Sequence, residues 1–481
     1  MNMLNLHNSA SAPGGVRLAC LLALAGGLAL GLSGCASTGD APTALTMKAP
    51  ADAGLAPTDT GVVAARWWLA LGDARLNALV DQALANQPSL AVAQARVQRA
   101  QALAGLTDAS SGPQVGLQVD VARQRYTANG LVPKPVAGSV YDSGTLQVGA
   151  SWSPDFFGQH AAELAAALGQ VKAAQVEASG AAQWLAAQVA RSYVGLARLQ
   201  AQREVSEAAL AQRQAMLALT RQRVAAGLDT QVELTQADGA LPDTRNQLAQ
   251  LDEQITLARH QLATLTGQAP GALATLSPTL AGLTLPAVPE QVGADLLGRR
   301  PDVVAARWRV EAAQQDVAVA RAQFYPNVNL TAFVGLNALG LDNVLQGSSR
   351  QMGVAPALRL PLFDGGRLRA QWQGRQAERD VAVAQYNGLV LDAAREAADS
   401  LSTLQSLQLQ QREQAAALAS AERAHELARQ RYAAGLGNYL IVLSTESPLL
   451  AQRRLAADLQ ARQLDARIAL MKALGGGWSD S

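Results

Sequence analysis

Residues 145–153 read TLQVGASWS. Leu146, Val148, Ala150 and Trp152 alternate with Thr145, Gln147, Gly149 and Ser151. A period of two predicts a strand with one apolar and one polar face. Upstream, QVGLQVDVARQ from Gln114 sets Val115, Leu117, Val119 and Val121 against Gln114, Gly116, Gln118 and Asp120. Further on, Val328, Leu330, Ala332 and Val334 alternate with Asn327, Asn329, Thr331 and Phe333. Then Met352, Val354, Leu358, Leu360 and Leu362 alternate with Gln351, Gly353, Ala355 and Arg359. A strand of a soluble sandwich shows the same alternation. Here the strands make two hairpins, about 113–155 and 326–363, each flanked by long helical sequence, so no second sheet is at hand. Strands of about ten residues can cross a bilayer. Aromatics collect at their ends, at Phe156, Phe157, Phe324, Tyr325 and Phe363, as in an interfacial girdle.

Two hairpins cannot close a membrane barrel, which needs about eight strands. An open edge in lipid leaves backbone groups unpaired at several kcal/mol each. The pattern therefore predicts strands donated to a barrel shared between copies. An eight-stranded barrel from two copies is just filled by side chains. A Gly- and Gln-rich face implies water, which favours three copies and twelve strands. The loops near 125–142 and 339–350 then face outward.

The flanking sequence contains itself twice, a feature to be sought first. PSLAVAQARVQRAQ at Pro88 is similar to PDVVAARWRVEAAQ at Pro301, and LTRQRVAAGLDT at Leu219 to LARQRYAAGLGN at Leu427. The offset drifts only from 213 to 208. Each half predicts one helix (about 76–109 and 294–323), a hairpin, then two long helices meeting at a Gly-Leu turn. These run about 157–225 and 230–266, then 366–433 and 438–474. They are rich in Ala, Leu, Gln, Glu and Arg, strong helix formers. At 1.5 Å per residue the first spans about 100 Å, too long for a globular core, so antiparallel coiled-coil packing is expected. Pro242 and Pro448 each fall inside a predicted helix and predict a kink or local break. The expected organisation is a first repeat over 76–293, a second over 294–474 and a tail over 475–481.

The remaining features lie at the N-terminus and in the composition. LACLLALAGGLALGLSG follows Arg17, short for a membrane span and shaped like a secretory signal. It ends at Leu32-Ser33-Gly34-Cys35, which resembles the bacterial lipobox. Residues 1–34 then form a signal peptide, and Cys35 carries N-acyl and S-diacylglycerol lipid. Ala36, in place of the Asp that retains such lipoproteins at the inner membrane, favours the outer one. Residues 35–75 form a lipidated N-terminal segment, its Ala-, Pro- and Thr-rich part to about Thr60 being a tether. Cys20 lies in the discarded part, so no disulfide or cysteine metal site is available. Net charge is +1, with 16% charged residues, which leaves no nucleic-acid footprint. His160, His260 and His425 lack ligand spacing, and neither a phosphate-binding Gly loop, a nucleophile elbow nor an HExxH occurs. No enzyme, cofactor or metal site is expected.

The whole arrangement resembles the TolC-like outer-membrane efflux family, in its OprM-like lipoprotein branch. The matching motifs are RWWLALGDARLNALVDQALANQPSL from Arg66, RRPDVVAARWRVEAA from Arg299, FYPNVNLTAF from Phe324, LPLFDGGRLRA from Leu360, RYAAGLGNYL from Arg431 and MKALGGGW from Met471. The resemblance implies a homotrimer, with a twelve-stranded barrel on a helical periplasmic tunnel. It implies a passive exit duct for small molecules such as drugs, served by an inner-membrane pump of the RND type through a periplasmic adaptor. The turns at Gly227-Leu228 and Gly435-Leu436 match tips that meet the adaptor. Leu440 matches a constricting leucine ring, and Tyr432 with Glu233 a pair that latches neighbouring helices. Where gate aspartates are expected the chain has Ile441 and Ser444, with Glu446 two residues on, as a displaced carboxylate or a solvated helix charge. Weaker cation selectivity is the implied consequence. Protein secretion of type I is the nearer alternative, and a lipid-anchored coiled-coil stalk the more distant one.

Overall fold

The computed structural model describes residues 44–53, 64–284 and 298–478. The signal segment, Cys35, Ala36 and the connector from 285 lie outside them. Seven α-helices and four strands occur in order among these residues: α1 Ala74–Asn86, α2 Pro88–Ser111, β1 Gln114–Arg125, β2 Val140–Trp152, α3 Gln159–Ala225, α4 Gln231–Leu265, α5 Pro301–Ala322, β3 Asn327–Leu339, β4 Arg350–Arg359, α6 Arg367–Ala433 and α7 Tyr439–Ala473. The chain is mainly helical, and from α2 and again from α5 one order of elements repeats: a helix, two strands and two long helices. Two compact units emerge. Of the described residues, one holds 102–169 with 310–382, the other 46–53, 64–101, 170–284, 298–309 and 383–478.

The first unit is built on one antiparallel sheet of order β1-β2-β3-β4. The two expected hairpins are joined by β2 and β3, with Leu146 opposite Leu336 and Val148 opposite Val334. Pairing runs through Leu117, Val148, Val334 and Met352 in one cross-strand row, and all four point to the apolar face. The next row on the polar face is Gln118, Gln147, Gly335 and Gln351. The apolar face is open: Val115, Leu117, Val119, Val121, Val334, Met352, Val354 and Leu358 are all exposed.

Ladder direction is given by two bonds, Tyr126 N–H to Ser139 O and Gly340 N–H to Asp142 O. Because residues along a strand alternate in the side to which they bond, even-numbered residues of β1 face β2 and odd-numbered residues of β4 face β3. The outer edges therefore present the backbone of Val115 through Arg125 on one side and of Arg350 through Leu358 on the other. Neither edge has a second neighbour among the described residues. Pro356 stands in the outward phase of β4, so its missing N–H is not taken from the β3 ladder.

Several sequence expectations are corrected. The helix expected over 76–109 is two helices. Pro88 forces Gln87 out of the helical region, to φ −72° and ψ 121°. Of the helix expected over 294–323, residues 294–297 lie outside the described residues, 298–300 are non-helical, and α5 begins at Pro301, where proline suits a first helical position. β4 ends at Arg359, leaving Leu360 and Leu362 outside it, because Pro361 comes next but one. Of the kink or local break expected at Pro242 and Pro448, the break does not occur: α4 and α7 run on through both.

In the second unit, the core gathers Trp67, Trp68, Leu71, Leu76, Val80, Tyr193, Leu196, Leu262 and Ile468. Asp73 caps α1 by accepting from Arg75 N–H at 2.8 Å, and it also accepts from the buried Tyr193 hydroxyl at 2.6 Å. Burial and that carboxylate push the Tyr193 hydroxyl far above its ordinary pKa. Ion pairs tie the long helices: Arg191 with Asp465, Arg198 with Asp458, and Arg203 with Asp252.

Candidate functional site

The two helix turns have one geometry, because they have nearly one sequence. Gly227 and Gly435 both have φ +75°, the left-handed conformation that glycine adopts without strain. Leu228 N–H reaches back to Arg223 O and Leu436 N–H to Arg431 O, each at 2.8 Å. With Gly227 bonded to Val224 and Gly435 to Tyr432, this is the Schellman cap in both halves. The cap leaves Leu228 and Leu436 at the apex, 65% and 70% exposed.

Around each apex the two halves diverge. Asp229 in the first half corresponds to Gly437 in the second, and Val224 to Tyr432. The two departures meet. Arg223 grips Asp229 with two bonds of 2.8 and 3.1 Å and donates to Tyr432 O at 3.1 Å. Its guanidinium lies 4.5 Å from the Tyr432 ring centre. The Tyr432 hydroxyl donates to Asp229 at 2.6 Å and meets Thr220 at 3.0 Å. The bonds from Arg223 hold the Asp229 carboxyl below its usual range. Burial, then Asp229, pushes Tyr432 up to about 12. Glu233 is elsewhere. It closes a capping box with Thr230, accepting from the Thr230 N–H at 3.0 Å and from its hydroxyl. The expected pairing of Tyr432 with Glu233 is therefore not made within the chain: Asp229 holds the tyrosine, and the cap engages the glutamate.

Along α7, Leu440, Ile441 and Ser444 share one exposed, uncharged face. Glu446 is not among them, nor is it a solvated charge. It is 5% exposed and pairs with Arg213 at 3.0 Å. Arg213 also donates to Ala240 O at 3.1 Å and to the Thr244 hydroxyl at 2.8 Å. Beside this pair, the buried His425 ring meets the Gln212 amide through Nε2 and the Thr445 hydroxyl through Nδ1, at 3.3 Å for the latter. Sequence reading misses Asp229, Arg213 and His425. Only the break in the repeat, Asp229 against Gly437, is a signal for the first.

His425 gives this cluster around Arg213 and Glu446 a pH dependence. Burial lowers its pKa below the ordinary 6.5, against the pull of Glu446. The unfolded chain therefore takes up this proton first as pH falls. Stability is full above about 6.5 and declines below it, until the folded ring also protonates. A His425→Gln variant is expected to show a flatter thermal-stability profile between about pH 7 and 5. Parallel profiles for the two proteins contradict this assignment.

The sequence pattern of the family described as outer membrane efflux protein matches residues 79–268 and, a second time, 292–476. The chain belongs to this family. The double match coincides with the internal repeat. Multidrug resistance outer membrane protein MdtQ of Escherichia coli O157:H7 is 34% identical over 467 residues, covering 94% of this chain and 97% of the relative. Among solved structures, outer membrane protein VceC of Vibrio cholerae is 37% identical with a TM-score of 0.80, over 86% of this chain and 98% of its own. The outer-membrane channel OprN is 28% identical with a TM-score of 0.82, over 92% and 99%. The chain is thus an outer-membrane efflux protein of a family of channels, with their helical and four-stranded fold.

Proposed function

We propose that three copies close a twelve-stranded barrel and form the exit duct of a tripartite pump. The observation that carries this reading is the sheet, apolar on one face, polar on the other, and unpaired on both edges among the described residues. A lipid bilayer accepts such a sheet only when its edges are joined. The polar row of Gln118, Gln147 and Gln351 then lines water, and the duct itself does no chemistry. The long helices supply the periplasmic tunnel, and Leu228 and Leu436 at its tips meet a periplasmic adaptor linked to an inner-membrane pump. The uncharged face of Leu440, Ile441 and Ser444 lines the constriction, which supports weak cation selectivity. The names of the multidrug relatives favour small molecules over secreted proteins as cargo. Lipid on Cys35 sorts the chain to the outer membrane.

Detergent-purified protein is expected to have about three times the mass of one chain and to conduct in planar bilayers. A deletion strain is expected to accumulate dye and antibiotic. Labelled palmitate is expected in the parent and not in a Cys35→Ser variant. A freely soluble monomer needing no detergent defeats the duct reading.

A further inference from the structure

The prolines that mark α4 and α7 in the sequence sit in helices that do not break, and one side chain touches both beside them. Pro242 offers no N–H to the Asp238 carbonyl, and Pro448 none to that of Ser444, so each helix lacks one ladder bond at this turn. Two residues before each proline lies a group that Arg213 of α3 holds. In α4 it is the Ala240 carbonyl, 3.1 Å from Nη1. In α7 it is the Glu446 carboxylate, 3.0 Å from Nη2 and 3.1 Å from Nε. Nη1 also donates to the Thr244 hydroxyl, which in turn donates a hydrogen bond to the same Ala240 carbonyl at 2.8 Å. All three guanidinium nitrogens are engaged. The side chains of Arg213 and Glu446 are only 15% and 7% exposed.

We propose that Arg213 is a positioning residue for gating, a pin that holds the two return helices together at their proline turns. A helix bends most readily where a ladder bond is missing. The pin is placed at that point in both helices, so the segments from 231 and 439 up to it are held as one piece. They carry Tyr439, Leu440, Ile441 and Ser444, as well as Glu233. A buried pair of this kind is either made or lost, because removing one partner strands the other charge away from water. The tip segments then have two arrangements, pinned and released. This inference rests on the duct reading.

The test is single-channel recording of purified protein in planar bilayers, with the yield of detergent-stable trimer as the control for folding. Arg213→Met removes every donor. The double variant Arg213→Met with Glu446→Gln removes them without a stranded carboxylate, and so guards against misfolding. Both are expected to raise open probability about tenfold or more. Arg213→Lys, which keeps the charge without the fork, is expected to lie nearest the parent. A purely structural role would lower trimer yield and leave open probability alone. A double variant that assembles normally and opens as rarely as the parent overturns the pin. A parent that never conducts defeats the duct reading instead.

Discussion

Val148→Arg is expected to abolish assembly, whereas Gln147→Arg, one residue away, leaves it intact. Val148 lies mid-row between Leu117 and Val334 on the apolar face of the sheet. Arginine on the lipid face of a barrel costs about 2–4 kcal/mol near the midplane. Three copies in one barrel make that roughly 6–12 kcal/mol, comparable with the whole stability of a domain. Gln147 faces the other way, beside Gln118 and Gly335, and its amide accepts from Gln351 at 3.0 Å. An arginine there meets water and loses one side-chain hydrogen bond, about 1 kcal/mol. The measurement is the fraction of membrane-inserted, detergent-resistant trimer for each variant. Equal losses, or trimer undiminished in Val148→Arg, would contradict the assignment of faces.

The second large effect is expected far from the sheet in sequence, in the motif MKALGGGW. Gly475, Gly476 and Gly477 have φ of +94°, +61° and +75° in succession. Each is left-handed, but Gly477 carries a further constraint. A Cβ there would press on the Ala64 carbonyl and stand 2.7 Å from Ala65 Cα, both backbone atoms that no side-chain rotation can move. Gly477→Ala therefore combines a left-handed penalty of about 1–2 kcal/mol with overpacking of about 1–3 kcal/mol. Gly227→Ala, at the same φ but with open space around it, incurs only the first. Thermal denaturation of the two variants in detergent separates the terms. Equal losses of stability would mean that residues 64–65 yield without cost.

The features behind these two expectations differ in how far the sequence reveals them. The strands are readable because an apolar-polar alternation is a local pattern, set by which way successive side chains point. The long helices are readable from composition and from the glycine that ends them. Pro88 is visible too, but helix-forming Ala, Leu and Gln on both sides of it mask its effect on Gln87. On local grounds the prolines of α4 and α7 are breakers. Hydrogen bonds from Arg213 and Thr244, and from the Ser444 and Thr445 hydroxyls to Ile441 and Val442 carbonyls, support the backbone around them instead.

The site shows the same division. Leu228, Leu436, Leu440 and Ser444 are exposed, as their position in or just after the turns suggests. The partners of Tyr432 and Glu446 are not legible. Tyr432 meets Asp229 across 203 residues, and Glu446 meets Arg213 across 233. By itself, the sequence determined the two faces of the sheet, the duplication and the places where the helices turn. Those depend on neighbours along the chain and on the chirality of the backbone. Only the tertiary structure decided which charges are buried, which are paired and which proline turns are held, since these depend on side chains that distant helices bring within 3 or 4 Å.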